Sequence, residues 1–158
     1  MTKLLLSLHV LAAITTVGPV TVAASMFPAT LRRALDASDD SEARATLKTL
    51  HRICRVYAGI GIAVPLFGFA TASSLGVLGD AWLIAAILLT ATAAGVLTLL
   101  ILPAQDRALA ETTGSASRVP APLPPTPGRL ATATGIFNLL WATVTVLMII
   151  RPGSTTGA

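Results

Sequence analysis

The sequence predicts an all-α, polytopic membrane protein with four transmembrane helices in an up-down-up-down bundle. Of its 158 residues, 54% are hydrophobic and only 11% are charged, and the mean hydropathy is +0.79. A soluble domain is typically about a quarter charged. The charges are also clustered, with ten between Arg32 and Arg55 and five between Asp106 and Arg129. The apolar runs left between the clusters are predicted spans of about residues 4–25, 53–78, 81–102 and 130–150.

The first span, residues 4–25, carries no charge and is long enough to cross the hydrocarbon core at about 1.5 Å per residue. Pro19 lies inside it and is expected to bend the helix. A cleaved signal peptide ending at Val22–Ala24 is the alternative. It is disfavoured because the apolar run exceeds the usual h-region of about 7–15 residues.

A polar connection follows the first span. Pro28 is expected to interrupt the helix, and a short amphipathic turn comes next. Asp39 with Glu42 three residues later resembles a capping box. A second helix is therefore predicted to begin near Asp40.

This second helix has two contrasting sides before it becomes fully apolar. The apolar side consists of Ala43, Leu47, Leu50, Cys54 and Tyr57. The other side consists of Arg44, Lys48, His51, Arg52 and Arg55. We call Arg44, Lys48, Arg52 and Arg55 the basic stripe. Its interpretation is either a solvated face that fixes the topology or a docking surface for anionic lipid or an acidic partner.

The second and third spans are joined by a very short turn at Gly79 and Asp80. Pro65 is expected to kink the second span. Pro103 is expected to close the third, and Trp82 lies at its interface end. The glycine and alanine positions that offer close helix approach in the second span are Gly59, Gly61, Ala63 and Gly68.

Residues 104–129 are predicted to form a polar loop whose proline-rich second half is a disordered linker. The fourth span, residues 130–150, follows and ends at Arg151. The four-span membrane domain thus covers residues 1–151, and residues 152–158 form a disordered tail.

The distribution of Lys and Arg predicts the threading. The first connection, counted up to Arg55, has six, the third has three, the second has none, and each terminus has one. The positive-inside rule then places loops 27–52 and 104–129 in the cytoplasm and both termini outside. We therefore expect a multi-pass protein of a bacterial plasma membrane.

Two helix faces rich in small and polar residues are predicted to be buried in the bundle. The face on the first span comprises His9, Ala12, Ala13, Thr16, Ala23 and Ala24. The face on the fourth span comprises Ala131, Thr134, Gly135, Asn138, Trp141, Ala142 and Thr145. The polar side chains expected in the interior are His9, Thr16, Asn138 and Thr145.

His9 is the only ionisable side chain inside a predicted span, which makes it a functional candidate. It is either a haem b or copper ligand or a proton relay, or a neutral imidazole bonded to a neighbouring helix. His51 is expected near the opposite surface, at a depth that differs by roughly 20 Å or more. The two histidines of one chain therefore cannot share a metal.

Other chemistry has little support in the sequence. There are no paired intramembrane carboxylates, no nucleophile–base–acid set, no phosphate loop and no HExxH motif. Cys54 is the single cysteine, which excludes an intramolecular disulfide. The basic residues lack the aromatic interleaving typical of nucleic-acid binding, so no nucleic acid partner is expected. We predict no cofactor and a non-enzymatic protein.

The run from Leu8 to Ile14, followed by Gly18, resembles the first span of small four-helix bacterial membrane proteins of a domain-of-unknown-function family. It is also distantly similar to the histidine-bearing first span of the CopD copper-resistance and HemJ protoporphyrinogen-oxidase families. Those families place an aromatic residue before the glycine, where this chain has Thr15–Val17. The resemblance implies haem or copper chemistry at His9 alone.

The leading functional hypothesis is a structural or accessory subunit that packs against membrane partners, either another membrane protein or further copies of the chain. The alternative is a haem- or copper-linked membrane redox protein that uses His9. A small-molecule transporter is the weaker alternative, because a coupled transporter usually needs an intramembrane carboxylate. Anionic lipids are the expected partners of the basic stripe.

Overall fold

The computed structural model describes residues 1–36, 40–112 and 126–153. In this part the chain forms α1 (Thr2–Asp36), α2 (Ser41–Ile60), α3 (Ala63–Leu75), α4 (Ala81–Gly95), α5 (Leu102–Thr112) and α6 (Pro127–Ile150), with a π-helical segment (Val96–Ile101) between α4 and α5. The helical stretches long and apolar enough to cross a membrane are Thr2–Asp36, Ser41–Leu75, Ala81–Thr112 and Pro127–Ile150. The predicted all-α class with four membrane-spanning helices is confirmed.

The predicted interruption at Pro28 is wrong, because α1 continues through it to Asp36. A proline inside a helix leaves the carbonyl four residues earlier without its usual amide donor. For Pro28 that carbonyl belongs to Ala24. It accepts a hydrogen bond from the hydroxyl of Thr134 on α6, at 3.5 Å. A side chain from a neighbouring helix thus replaces the missing backbone donor, as is common in membrane helices.

The helix after this connection begins close to the predicted position. Asp40 is its N-cap, and the Asp40 carboxylate accepts a hydrogen bond of 2.8 Å from the backbone amide of Ala43. Asp39, the predicted capping residue, lies outside the described residues. The apolar side of α2 is buried as its spacing predicts, with Leu47 and Cys54 fully enclosed.

The kink expected from Pro65 is a break in regular α-helical hydrogen bonding between α2 and α3, although Gly61 and Ile62 keep right-handed helical backbone angles. The amide of Ile62 bonds to the carbonyl of Gly59 at 3.3 Å, and the amide of Val64 bonds to that of Gly61 at 3.1 Å. The break falls four residues before the proline because the proline ring clashes with the carbonyl at that position.

The predicted end of the third span at Pro103 is also wrong. The helix passes through a π-helical segment, Val96–Ile101, and continues as α5 to Thr112. A π-helix has one extra residue in a turn, so its backbone hydrogen bonds join residues five apart instead of four. This change of spacing comes just before Pro103, which has no amide hydrogen to donate. Residues 104–112 of the predicted loop are therefore helical. Residues 113–125, which hold most of the proline-rich stretch, and 154–158 of the predicted tail lie outside the described residues.

Side-chain packing is concentrated in two cores. The first core joins the second half of α1 to α2, the end of α4, the π-helical segment, α5 and α6. Its largest buried side chains include Phe27, Leu31, Leu47 and Ile101. The second core is small and surrounds Trp82 and Leu83 at the start of α4. In the most apolar 18-residue window of each stretch only 11% to 28% of the residues are buried, so most of these residues are at least partly exposed.

Candidate functional site

His9 is held against α3 by one hydrogen bond and one close contact. Its Nδ1 lies 2.8 Å from the carbonyl oxygen of Val64. A carbonyl only accepts, so Nδ1 carries the hydrogen and donates. The ring also lies against Gly68, where an added Cβ would come within 3.0 Å of His9 Cε1. The interpretation of His9 as an imidazole bonded to a neighbouring helix agrees with this geometry.

The same bond leaves His9 Nε2 with the lone pair, the arrangement that metal-bound histidines usually adopt. The chain does not complete such a site with its other histidine. His51 lies 13 residues before Val64, which is roughly 20 Å along a helix. Across the described residues, His, Cys, Asp and Glu side chains form no group of three suited to a metal ion. A bis-histidine centre therefore does not fit within one chain.

Thr16 and Asn138, two further residues predicted in the interior, lie at or near the contact between α1 and α6. Thr16 is buried, with its hydroxyl bonded to the carbonyl of Ala12 at 2.6 Å. Asn138 is half-buried, and its Nδ2 donates to Ser25 Oγ at 3.2 Å. Asn138 Oδ1, in contrast, is enclosed without a hydrogen-bond partner in the described part of the chain.

The prediction that Thr145 lies in the interior is wrong. Thr145 is exposed, and its hydroxyl bonds back to the carbonyl of Trp141 at 2.8 Å. The reason is the rotation of α6, which buries Leu130, Thr134, Phe137 and Val144. The predicted face therefore lies beside the contact with α1 and not in its centre. Its exposed members, which we call the small-residue face, are Ala131, Gly135, Ala142 and Thr145.

The basic stripe is only partly separate from the core. Lys48, Arg52 and Arg55 are exposed, and Arg44 is half-buried. His51 was expected beside them, but it is 7% exposed and belongs to the contact with α5. His51 lies between the apolar and the basic sides of α2, so its spacing is compatible with a buried or an exposed position. The packing of α5 against it makes it buried.

A buried polar cluster between α2 and α5 was not anticipated from the sequence. His51 Nδ1 lies 3.1 Å from Gln105 Oε1, and Gln105 Nε2 lies 3.7 Å from Cys54 Sγ. His51 Nε2 is 3.0 Å from Asp106 Oδ1, a distance suited to ion pairing, but the N–H direction does not complete a hydrogen bond. The sequence predicts a loop at Gln105, because Pro103 is expected to end the helix. A helix continued past Pro103 would have placed Ile101, Gln105 and Ala108 on one side.

At the opposite end of the bundle, three residues tie α4 to α6. Trp82 Nε1 donates to Asp80 Oδ2 at 3.0 Å. The guanidinium of Arg151 lies 5.6 Å from the centre of the Trp82 ring, within cation–π range. Arg151 adopts a left-handed conformation with φ of 45° as it ends α6.

A cavity lies near the middle of the bundle, and side chains from all four spanning stretches contribute to its wall. Its volume is about 70 Å³, and it is partly open to the surroundings. The lining residues include Val17, Tyr57, Gly61, Leu97 and Trp141. Both backbone irregularities reach it, the α2–α3 break at Gly61 and the π-helical segment at Leu97.

Comparisons with protein-family models, curated proteins and solved structures find no match to this chain. The resemblance of the first span to the four-helix bacterial families therefore stays a prediction.

Proposed function

We propose that this protein is an accessory subunit that packs laterally against another membrane protein through the small-residue face of α6. The observation that carries the proposal is the exposure of Ala131, Gly135 and Ala142 on one side of a membrane-spanning helix. Small side chains allow two helix backbones to approach closely, which is the main source of helix association in lipid.

Asn138 gives this face a polar contact point. Its Oδ1 lacks a hydrogen-bond partner among the described residues, and it lies on the same side of α6. Buried polar atoms are rarely left unpaired in native assemblies. Because Oδ1 is enclosed, the Asn138 side chain must turn outward before a hydroxyl or amide donor on a partner helix can supply the missing bond.

The proposal includes the threading and the location. The protein lies in a bacterial plasma membrane with both termini outside and with the basic stripe on the cytoplasmic side, where anionic lipid headgroups attract Lys48, Arg52 and Arg55. Anionic lipid added to neutral-lipid nanodiscs is expected to raise the thermal stability. Replacing these three residues with glutamine should abolish the increase. An equal increase in the triple variant would contradict the lipid contact.

Site-specific photo-crosslinking in native membranes tests the docking face. A photoreactive residue at Ala142 is expected to give a cross-linked band. The same residue at Thr143, also exposed but turned by about 100° around α6, should give little. Gly135→Leu is expected to weaken the band at Ala142 because its side chain separates the helices.

The mass of the cross-linked band identifies the partner. A mass other than twice the 16.2 kDa of the chain supports an accessory subunit. A band at twice that mass would instead assign the face to a homo-oligomer. Equal cross-linking from Ala142 and Thr143, insensitive to Gly135→Leu, would reject the face altogether.

A further inference from the structure

The cavity borders the first core, because Val20, Leu97 and Phe137 belong both to that core and to the cavity wall. This gap is partly open to the surroundings, and all four spanning stretches contribute to its wall. The broken backbone of span two borders this gap. In membrane proteins, irregular backbone occurs mainly where it is buried or lines a cavity.

The bundle has a lateral path to this cavity. Among the described helices, α3 packs on α1 and α4 packs on α6, whereas contact between α3 and α4 is slight. The turn that joins α3 to α4 is closed by the second core. The gap between these two helices therefore faces the bilayer, and a lipid-soluble molecule can reach the cavity without passing through water.

The wall of the cavity is mostly apolar, and its polar side chains are those of Thr16, Tyr57 and Trp141. Trp141 forms part of the wall, and its indole Nε1–H is buried without a hydrogen-bond partner in the described part of the chain. Tryptophan is a donor only, so the partner that this group lacks is an acceptor atom. The backbone is also irregular at a second wall residue, Ala58. The Ile62 amide bonds to the Gly59 carbonyl, so the Ala58 carbonyl does not accept this amide.

The depth of Trp141 restricts the source of the acceptor. It lies nine residues before Ile150, or roughly 14 Å from that end of α6. This is close to the midplane of a hydrocarbon core about 30 Å thick. The ester carbonyls of phospholipids lie at the core boundary, so they are too shallow to reach the indole. An uncharged molecule dissolved within the bilayer reaches it.

We propose that this cavity binds the carbonyl-bearing ring of an uncharged, lipid-soluble compound of the quinone class, which enters between α3 and α4. A small rotation of the Trp141 ring brings its N–H to the carbonyl oxygen, while the aromatic and aliphatic wall covers the ring. The cavity, of about 70 Å³ and partly open, receives the carbonyl edge of the ring. The tail of the ligand stays in the bilayer.

Ligand-dependent thermal stability of the full chain in neutral-lipid nanodiscs tests the proposal. The probes are an alkyl-benzoquinone, an alkylbenzene of equal chain length and a short-chain diacylglycerol. The benzoquinone is expected to raise the Tm with saturation. Trp141→Phe is expected to weaken its binding about tenfold, the usual effect of one buried hydrogen bond, and to leave alkylbenzene binding unchanged. The control Trp82→Phe removes the other tryptophan, outside the cavity, and should leave the benzoquinone affinity as it is.

A second pair of variants tests the location. Ala94 lines the cavity mouth and is exposed, so Ala94→Phe blocks the cavity without overpacking the core. Ala91 is exposed one turn away on α4 and does not line the cavity, so Ala91→Phe is the matched control. Benzoquinone binding is expected to be lost only in Ala94→Phe.

Three outcomes would overturn the proposal. The first is the absence of any saturable benzoquinone effect, which would mean that the indole pairs with water only. The second is a benzoquinone effect that neither Trp141→Phe nor Ala94→Phe changes, which would indicate partition into the bilayer. The third is tighter binding of the diacylglycerol than of the benzoquinone, which would contradict the depth assigned to the acceptor.

Discussion

Single polar side chains link the spanning helices of this protein, and each finds a backbone or side-chain partner on another helix. Thr134 bonds to the Ala24 carbonyl that Pro28 leaves without an amide, and His9 bonds to the Val64 carbonyl beside the break in span two. Such bonds in a membrane are worth on the order of 1 kcal/mol each. The placement of the His9 ring therefore also depends on the space that Gly68 leaves beside it on α3.

Gly68→Ala is expected to destabilise the fold by about 1 kcal/mol or more, since its Cβ would lie 3.0 Å from His9 Cε1 and force the ring off the Val64 carbonyl. Gly59→Ala is the matched control, because its Cβ meets no atom within 4 Å and alanine is the better helix former. Unfolding in mixed micelles measures both changes. In a His9→Ala background the Gly68→Ala effect should disappear. Persistence of the full effect there would show that the ring is not the obstacle.

The elements of this fold are longer than their apolar stretches, and the extensions pack together. The second half of α1, the first half of α2 and all of α5 carry half of the 18 charged residues and most of the first core. Water gives these segments a hydrophobic drive to associate that the lipid-facing halves lack. The buried cluster around Gln105 then fixes how α5 lies on α2.

Gln105→Ala is expected to destabilise the docking of α5 by about 1–3 kcal/mol, because it leaves the buried His51 Nδ1 without its acceptor. Faster hydrogen exchange confined to α5 and the facing part of α2 is the expected observation. Arg107→Ala, at the exposed position two residues later, should change exchange little and serves as the control. If both variants exchange alike, the cluster does not hold α5.

At the scale of the whole molecule, hydropathy was sufficient to predict the number and order of the spanning helices, because a run of about 20 apolar residues has few other stable environments. The helix ends at Pro28 and Pro103 were mispredicted because a local rule was applied where a neighbouring helix or a π-helical turn compensates for the missing amide. The rotation of α6 was mispredicted because small residues such as Ala142 suit a lipid-facing surface as well as a helix contact. The His51–Gln105 cluster escaped prediction because Gln105 lies on α5, the helix that continues past Pro103.

The threading of the chain is the property of the whole molecule that its charges predict most directly. The first connection carries six Lys and Arg residues and the second carries none, so the first should remain in the cytoplasm. On a Cys54→Ala background, Ser41→Cys and Gly79→Cys place single exposed thiols at the two ends of the Ser41–Leu75 stretch or just beyond it. An impermeant maleimide should label Gly79→Cys in intact cells and Ser41→Cys only after permeabilisation. Labelling of Ser41→Cys in intact cells would invert the orientation and move the basic stripe away from the cytoplasmic leaflet, whose anionic lipids it is proposed to bind.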